Sequence, residues 1–440
     1  MNIHLMGVCG AGMSALAAWY RYLGNIVSGC DGAPSENKIK SLKALGIDVQ
    51  TGHSATHLVN IEKLVFSAAI PADNTELQKA REAGIPVLRR SEALAELAST
   101  YRVVSIAGAH GKTTTTSMTG WIMQEVGLNP TVFVGGFVNA WKGNFRQGGD
   151  LAVIESDEFD RTFLRLTPSH AAVTSFALEH LECYGSPEAL EWAFQAFLES
   201  VLPGGTVIVP IEKPGLGYWA SKIGRKVLTS GPGGDIDGRA LKYHGWGEKY
   251  KLFGINGFVP SPGIHNVRNA QIAVSLAMAE GVSAQNAMEA LASWPGVNRR
   301  LEKIGIYNDT VIVSDYAHHP EELAAALSSL KIYSQGPVTV VFQPHLYSRT
   351  SLLYREMASA LRIADKVYIL PIFPSREKPV PGITSSLICT SANDTGAHCQ
   401  QIQPEEIERI IKEVNGGVLV FMGAGSVDYF ARNAYKAVTG

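Results

Sequence analysis

Short apolar runs alternate with helical patterns along the first quarter of the chain. The runs Ile3 to Val8, Asn25 to Cys30, Leu64 to Ala68 and Pro86 to Leu88 predict strands, with helices between them. Such alternation is typical of a parallel sheet with covering helices. The pattern ends in a helix that carries SEALAELAST, so we place the end of a first domain at residue 98.

A second region begins with the apolar run RVVSIA, which leads directly into a glycine-rich turn. Further strands are predicted at TVFVGG, DLAVIES, AAVTSF and GTVIVP. A less regular, glycine-rich stretch follows from Leu216 to Gly257, and two helices are expected from His265 to Glu280 and from Ala284 to Ser293. We predict that residues 99–300 form a second α/β domain.

The last region again alternates strand with helix. Strands are predicted at VIVSDY, TVVFQP, KVYILPIF and GVLVFMG, and helices are predicted after Pro320 and from Pro404. Residues 301–440 are therefore predicted to be a third α/β domain. The expected fold class is α/β, with three consecutive α/β domains.

Composition narrows the class of protein. At 440 residues the chain exceeds one ordinary hydrophobic core, and 46% apolar with 18% charged residues is typical of a soluble globular protein. A formal net charge of -2 gives no general attraction to nucleic acid or anionic membranes. The five cysteines form no CxxC pair, and the N-terminus lacks the pattern of a signal peptide. We expect a cytoplasmic protein that binds no nucleic acid and is not inserted into a membrane.

The strongest local signal is the run IAGAHGKTTTT, between a predicted strand and a predicted helix. Gly108 and Gly111 allow a tight turn whose N–H groups face a phosphate chain. Lys112 can reach the β- and γ-phosphates, and the hydroxyl of Thr113 or Thr114 suits the magnesium that accompanies ATP. An isoleucine stands where the general P-loop spacing has another glycine, so the loop is a shortened variant. The alternative is a tight turn that caps a helix beside a solvated lysine.

Acidic residues and a histidine follow two more predicted strands. Glu155 ends one buried strand and is followed by Asp157, Glu158 and Asp160, while His180 follows AAVTSF. A carboxylate at a strand end beside an ATP loop is where magnesium needs an oxygen ligand, and His180 is a candidate ligand of a second metal. The alternatives are a solvated acidic turn and a structural histidine.

Two polar motifs flank the end of the second region. The helix in PGIHNVRNAQIAV begins with His265, Asn266 and Asn269, and asparagine side chains suit an adenine edge. An N-cap asparagine with exposed polar neighbours is the alternative. In WPGVNRRLE, Arg299 and Arg300 are candidate phosphate ligands, with an ordinary surface arginine pair as the alternative.

Strand ends of the third region carry a further set of polar groups. SDYAHHPEEL places Asp315, His318 and His319 after one strand, and FQPHLYSRT places His345 and Arg349 after another. Strand ends of a parallel sheet form one rim, so these side chains are expected to form an anion site suited to a carboxylate. The alternative is that they cap the helices that follow.

The N-terminal run GVCGAGMSALA resembles a dinucleotide fingerprint, with Asp31 at the end of the second strand. The pattern invites a dehydrogenase interpretation, and it equally fits any nucleotide diphosphate on a helix N-terminus.

Taken in order, the motifs resemble the muramyl ligase family of peptidoglycan synthesis. The resemblance runs through almost the whole chain and is carried by GVCGAGMSALA, GAHGKTTTT, ESDEFDRTFL, HLECYG, GIHNVRNA, GVNRRLE, SDYAHHP, FQPHLYSRT, REKPVPGIT and a late GAG. It implies a Rossmann-like N-terminal domain for a UDP-sugar, a P-loop ATPase central domain and a Rossmann-like C-terminal domain for an amino acid. FQPHLYSRT with REKPVPGIT resembles the branch that adds L-alanine to UDP-N-acetylmuramate.

The resemblance also implies a role for individual residues, with ATP and Mg²⁺ as cofactors and a monomer or weak homodimer as the assembly. The catalytic residues would be Lys112, Glu155, His180 and Arg300. The metal ligands would be Thr113, Glu155 and His180. The ATP site would comprise Gly108, His110, Gly111, Lys112, Thr113, Thr114, Asn266, Asn269, Arg300 and Asp315. The UDP-sugar site would comprise Gly7, Gly10, Ala11, Gly12, Met13, Asp31 and Ser67, and the amino-acid site His318, His345 and Arg349.

Some residues depart from the family pattern. Ala109, Glu179 and Ser314 stand where the family usually has other residues, and Cys9 is typical of the ligase that recycles a muropeptide. Attachment of a tripeptide to UDP-N-acetylmuramate is therefore the second hypothesis. A nicotinamide-dependent oxidoreductase and a non-catalytic nucleotide-binding regulator are more distant alternatives.

Overall fold

The computed structural model of the chain describes residues 1–159, 161–177, 181–375 and 377–440. The described residues form two units, one of residues 1–239, 251–257 and 268–295 and the other of residues 240–250, 258–267 and 296–440. Three α/β sheets and one small sheet contain the described strands, and the predicted α/β fold class is confirmed. No described helix combines the length and apolar character that a membrane span requires.

The first sheet has five parallel strands in the order β3-β2-β1-β4-β5. Its strands are β1 Asn2–Met6, β2 Ile26–Asp31, β3 Asp48–Thr51, β4 Lys63–Phe66 and β5 Val87–Arg89. Its helices are α1 Ala11–Tyr22, α2 Glu36–Ala44, α3 Thr75–Glu82 and α4 Arg90–Ala98. Side chains of Ser35 and Asn74 accept backbone hydrogen bonds and so cap α2 and α3. The short edge strand β3 was not predicted, because DVQT buries one residue and lacks an apolar run.

The central sheet has seven strands in the order β12-β11-β10-β6-β9-β7-β8. Its pairs are parallel except for the antiparallel pair of β7 and β8. The strands are β6 Arg102–Ala107, β7 Thr131–Val138, β8 Gly143–Arg146, β9 Leu151–Glu155, β10 His170–Val173, β11 Thr206–Pro210 and β12 Lys226–Ser230. The helices of this region are α5 Lys112–Glu125, α6 Leu181–Tyr184, α7 Pro187–Glu199, α8 Pro214–Lys222, α9 Ile264–Ala279 and α10 Ala284–Leu291.

The first sheet and the central sheet share a hydrophobic core. Leu16 and Trp19 of α1 pack in one cluster with Phe133 of β7 and Ile154 of β9. The Trp19 ring is fully buried and meets the edge of Tyr101 at a centroid distance of 5.2 Å. Residues on the two sides of the boundary predicted at residue 98 are therefore packed together.

The stretch from Leu216 to Gly257 was expected to be irregular, and that expectation is wrong. It contains the end of α8, strand β12 and a three-stranded sheet of β13 Arg239–Tyr243, β14 Glu248–Leu252 and β15 Ile255–Val259. Gly245 and Gly254 have positive φ angles in the two connections. The strands were missed because lysine and arginine interrupt their apolar alternation.

The C-terminal sheet has six strands in the order β16-β17-β21-β18-β19-β20. Its strands are β16 Glu302–Tyr307, β17 Thr310–Asp315, β18 Val338–Phe342, β19 Lys366–Ile369, β20 Cys399–Gln401 and β21 Val418–Met422. Its helices are α11 Pro320–Tyr333, α12 Tyr347–Leu361, α13 Ser386–Asp394, α14 Ile407–Glu413 and α15 Val427–Thr439. Only β16 runs antiparallel to its neighbour among these pairs of described strands. Separate apolar clusters cover the two faces, as a parallel sheet requires.

Candidate active site

A glycine-rich loop connects β6 to α5. Gly108 and Gly111 have φ angles of +126° and +84°, which lie in the left-handed region. A Cβ atom at Gly108 would stand 2.5 Å from Thr174 Oγ1, and one at Gly111 would stand 2.5 Å from Asn269 Oδ1. Both positions therefore require glycine for conformation and for space.

The residues that follow β10 hold this loop in place. The N–H group of His110 donates to Ser175 Oγ at 2.8 Å, and Thr174 Oγ1 donates to the His110 carbonyl at 2.6 Å. The Ala109 N–H group donates to the Ser175 carbonyl at 3.1 Å. The first turn of α5 then presents N–H groups that an α-helix cannot satisfy internally. Such a helix N-terminus attracts a phosphate group.

Replacing Gly111 with alanine is expected to abolish measurable ATP binding. The new Cβ would force either the loop or Asn269 to move, and the left-handed φ angle adds about 1 kcal/mol or more of strain. Isothermal titration with ATP measures the effect. The matched control is Gly127→Ala, because Gly127 has a similar φ of +87° but nothing within 4 Å of the added Cβ. Equal loss of ATP affinity in both variants would contradict the steric argument.

Lys112 is the first residue of α5, and its ammonium group turns back over the loop. Its Nζ donates to the Gly108 and Ala109 carbonyls at 2.5 and 3.1 Å and lies 2.9 Å from Glu158 Oε1. Burial by itself would lower the pKa of Lys112, but the neighbouring carboxylates, led by Glu158, raise it. The lysine is therefore held as a cation where the phosphate chain would lie.

A carboxylate and a hydroxyl meet at the end of β9. Thr113 Oγ1 donates to Glu155 Oε1 at 2.8 Å, and the Gly135 N–H group donates to Glu155 Oε2 at 2.5 Å. Burial raises the pKa of the Glu155 carboxyl, so the site favours a cation beside it. One carboxylate and one hydroxyl are hard oxygen donors that fit Mg²⁺. His180, the candidate ligand of a second metal, lies outside the described residues, and Thr114, the next residue of α5, is buried.

A cavity of about 470 Å³ opens beside the loop-binding residues Thr174 and Ser175. Its wall includes Phe176, whose ring is 4.4 Å from Lys213 Nζ, and Gln271 of α9. Gln271 Nε2 is buried without a hydrogen-bond partner among the described residues. A free amide donor and an aromatic face suit a planar base. Sequence analysis missed this cavity, because its residues come from four separate segments.

The N-terminal glycine-rich loop has the geometry expected of a fingerprint loop. Gly7 has a φ of +79°, and Gly10, which precedes α1, donates its N–H group to the Gly7 carbonyl at 3.1 Å. Asp31, at the end of β2, is half-buried beside this loop. Its carboxylate accepts the N–H groups of Cys9 and Ala33 at 3.1 and 3.2 Å, so it braces the loop itself.

Of the other residues predicted to bind the UDP-sugar, some adjoin the N-terminal loop and one is buried in the hydrophobic core. A Cβ atom at Gly7 would lie 3.1 Å from Ser67 Cβ, so Ser67 adjoins the loop. The carbonyl of Ala11 accepts a hydrogen bond from the Asn144 amide of β8. The Met13 side chain is only 2% exposed and belongs to the hydrophobic core, which leaves its backbone alone available to a ligand.

Arg90, the first residue of α4, was missed by sequence analysis and lies between the start of α1 and the residues that follow β9. A Cβ atom at Gly12 would lie 2.6 Å from Arg90 Nη1. Arg90 Nη2 lies 3.4 Å from Asp157 Oδ2 and 3.5 Å from Thr162 Oγ1. The only sequence signal was its position directly after strand β5. Arg90 therefore places a cation between the N-terminal glycines and the acidic end of β9.

The second unit holds Asp315 and the arginine pair. The buried Asp315 carboxylate accepts the N–H groups of Leu301 and Ala317, both at 2.7 Å, and burial raises its pKa to about 6. Arg300 packs against the Tyr316 ring at 5.2 Å. Arg299 Nη2 donates to the carbonyls of Gly423 and Gly425, so part of this guanidinium is used within the protein, and the phosphate contact expected of Arg299 stays a prediction.

Three predicted amino-acid ligands come together at the C-terminal sheet. The rings of His318 and His345 are 6.0 Å apart, and Arg349 Nη1 lies 3.4 Å from His345 Nδ1. Burial lowers the pKa of His318, so its imidazole is neutral at pH 7. Leu346, between the two motif residues, has an unfavourable φ of +70°, a strain of the kind found at functional sites.

Two other polar candidates take structural positions. His319 is the N-cap residue of α11, where its backbone N–H group donates to Glu322 Oε2 at 3.3 Å. The Asn266 amide donates to Ser261 Oγ at 2.8 Å and to the Pro262 carbonyl at 2.9 Å. In this arrangement the Asn266 NH₂ group is used within the protein, and the contact with adenine expected of this residue stays a prediction.

The glycine-rich loop, its buried lysine and the carboxylate at a strand end define a nucleotide-binding α/β protein with a phosphate loop. Three family models match consecutive parts of the chain: "Mur ligase family, catalytic domain" over residues 2–102, "Mur ligase middle domain" over residues 106–277 and "Mur ligase, glutamate ligase domain" over residues 299–425. The chain belongs to the Mur ligase family. Membership of this family explains the glycine-rich N-terminal loop, so a nicotinamide cofactor is not needed to explain it.

Similar proteins cover nearly the whole chain. A "UDP-N-acetylmuramate--L-alanine ligase" of Sinorhizobium fredii is 37% identical over 453 residues, which cover 98% of this chain and 95% of that protein. A protein of the same description from Streptomyces griseus is 38% identical over 442 residues, with 96% and 94% covered. The crystal structure of UDP-N-acetylmuramate-alanine ligase from Thermotoga maritima has a TM-score of 0.86 at 26% identity and covers 100% of this chain and 99% of that one.

Proposed function

We propose that this protein is an ATP-dependent ligase that joins L-alanine to the lactyl carboxylate of UDP-N-acetylmuramate, a step of peptidoglycan precursor synthesis in the cytoplasm. The observation that carries the proposal is the phosphate loop with Lys112 held as a cation above it. The near full-length likeness to ligases of this description supports the choice of substrates.

The proposed reaction has two chemical steps. An oxygen of the lactyl carboxylate attacks the γ-phosphorus of ATP, and the bond between this phosphorus and the β-phosphate oxygen breaks. ADP departs, and an acyl phosphate is formed. The amine of alanine then attacks the acyl carbon, loses a proton and displaces inorganic phosphate through a tetrahedral intermediate. Lys112 neutralises the charge that develops on the transferred phosphoryl group.

The nucleotide would occupy the first unit around the phosphate loop. Thr113 and Glu155 would hold one Mg²⁺ and His180 a second, and the metal would supply charge neutralisation at the phosphates. The adenine base suits the cavity beside Phe176 and Gln271. The roles of Asn266, Arg300 and Asp315 towards ATP, like the domain limits 1–98, 99–300 and 301–440, remain predictions.

Phosphate release tests the proposed substrates. Release from ATP is expected only when UDP-N-acetylmuramate and L-alanine are supplied together. An equal rate with the tripeptide L-alanyl-γ-D-glutamyl-meso-diaminopimelate in place of L-alanine would instead support the muropeptide-recycling hypothesis. Reduction of a nicotinamide cofactor with no phosphate release would contradict both.

Replacing Arg349 with alanine is expected to raise KM for L-alanine about 10- to 100-fold and to change KM for ATP less than about twofold. The proposed contact between this guanidinium and the amino-acid carboxylate is charge-assisted and is worth about 1.5 to 3 kcal/mol. Initial rates with each substrate varied in turn measure the effect. The control is Arg355→Ala, an exposed arginine on the same helix α12. A comparable rise in both KM values would show that Arg349 has a structural role.

A further inference from the structure

A cluster of metal-binding side chains lies within the first sheet, at residues to which the proposed ligase reaction assigns no role. It comprises His4 of β1, Cys30 of β2, His57 in the short 3₁₀ helix Ala55–Leu58 and Glu76 of α3. The ligand atoms of all four lie within 4.8 Å of one another. His4, Cys30 and Glu76 are fully buried, and the His57 side chain is 11% exposed.

The distances between these ligand atoms are close to the spacing of ligands around one tetrahedral metal ion. Glu76 Oε1 lies 3.1 Å from His4 Nε2 and 3.1 Å from His57 Nδ1, and Glu76 Oε2 lies 3.3 Å from Cys30 Sγ. Ligands bound to zinc at about 2.0 to 2.3 Å stand roughly 3.3 to 3.8 Å apart in a tetrahedron. The three Glu76 contacts lie at or just below this range and all four ligand atoms lie within 4.8 Å, so small side-chain shifts would admit an ion.

Neighbouring groups orient these ligands from outside the cluster. Ser28 Oγ is 2.8 Å from His4 Nδ1, which directs the Nε2 atom of His4 inward. The Ser54 N–H group donates to Glu76 Oε2 at 3.1 Å. Metal-binding histidines and carboxylates characteristically have such outer partners. His53 also lies beside the cluster. Its Nδ1 is 3.2 Å from Cys30 Sγ, and its side chain is 22% exposed.

We propose that Cys30, His4, His57 and Glu76 form a binding site for one Zn²⁺ ion. A thiolate, a carboxylate and two neutral imidazoles balance the charge of a divalent cation, which an enclosed site requires. Mixed sulfur, nitrogen and oxygen ligands suit zinc rather than magnesium. The Cys30 thiol gives up its proton to solvent as the ion binds.

The site would brace the N-terminal glycine-rich loop. The Cys30 carbonyl accepts the N–H groups of Gly7 and Val8 at 2.8 and 3.1 Å, and the adjacent Asp31 holds Cys9. The ion would tie β1, β2, the 3₁₀ helix and α3 together directly beneath this loop. Zinc would therefore stabilise the fold of the first unit without taking part in the chemistry.

The experiment titrates the full-length protein after removal of metal with a chelator. We expect Co²⁺ to bind one equivalent, with a thiolate-to-cobalt charge-transfer band and visible bands of tetrahedral intensity. Zn²⁺ should displace the cobalt, release about one proton per ion from the metal-free protein and raise Tm. Absence of stoichiometric Co²⁺ and Zn²⁺ binding by this protein would overturn the proposal and leave a hydrogen-bonded His–Glu network in its place.

Variants locate the site. Cys30→Ser should remove the charge-transfer band and weaken Zn²⁺ binding by about 100-fold or more, and Ser28→Ala, which keeps all four ligands, should weaken binding by about 10-fold. The control Cys399→Ser, on strand β20 of a different sheet, should keep the band. A band that survives in Cys30→Ser would overturn the site. If Cys30→Ser does not fold, Ser28→Ala decides, and unchanged Zn²⁺ affinity in that variant would overturn the site. The phosphate-release assay is separate, so the proposed ligase reaction stands or fails independently of this result.

Discussion

Replacing Lys112 with alanine is expected to lower kcat by about 1000-fold while the affinity for UDP-N-acetylmuramate stays within about threefold. Loss of one preorganised positive group at the site of charge development costs roughly 100- to 1000-fold in rate. The lysine lies over the ATP loop, whereas the proposed nucleotide-sugar loop begins at Gly7. Single-turnover phosphate release and calorimetric titration with the nucleotide sugar measure the two quantities.

The same substitution also affects stability, so it needs a matched control. Lys112 Nζ is 2.9 Å from Glu158, whose side chain is only 3% exposed. Removing the lysine leaves this carboxylate buried without its ammonium partner, which costs about 3 kcal/mol or more. The double variant Lys112→Met with Glu158→Gln should recover the free energy of unfolding but remain inactive. Recovery of activity in the double variant would contradict a catalytic role for Lys112.

Replacing Trp19 with alanine is expected to lower the free energy of unfolding by about 3 to 5 kcal/mol. Trp19 is fully buried on α1, and its ring lies 5.2 Å from Tyr101, 6.3 Å from Phe133 and 5.7 Å from Phe145. Those three aromatic residues follow residue 98 in the sequence. The cavity left by the missing tryptophan ring would therefore open where the first and central sheets share their core. Denaturant unfolding followed by circular dichroism measures the loss.

An exposed tryptophan provides the control for this prediction. Trp192 of α7 is 68% exposed, and Trp192→Ala should change the free energy of unfolding by less than about 0.5 kcal/mol. Equal destabilisation in the two variants would mean that loss of tryptophan itself, rather than loss of the shared core, is responsible.

The candidate site was predictable where one short segment contains both the residues that set the backbone conformation and the side chains that bind the ligand. The phosphate loop is such a segment, because its strand, glycines, lysine and helix start are contiguous from β6 to α5. The grouping of His318, His345 and Arg349 also followed from the rule that parallel strand ends share a rim. Single side chains were harder to predict, because Arg299 and Asp31 both make hydrogen bonds to backbone groups that no local sequence pattern indicates.

The sequence by itself determined the α/β class, most strand positions and the family, because apolar periodicity and contiguous motifs are properties of the chain. Tertiary structure decided which side chains became partners. The Lys112–Glu158 pair, the bridging Arg90 and the cluster around Glu76 each join segments that are far apart along the chain. The physical reason is that such contacts depend on strand order and register, which bring distant residues within a few ångströms and leave no local pattern in the sequence.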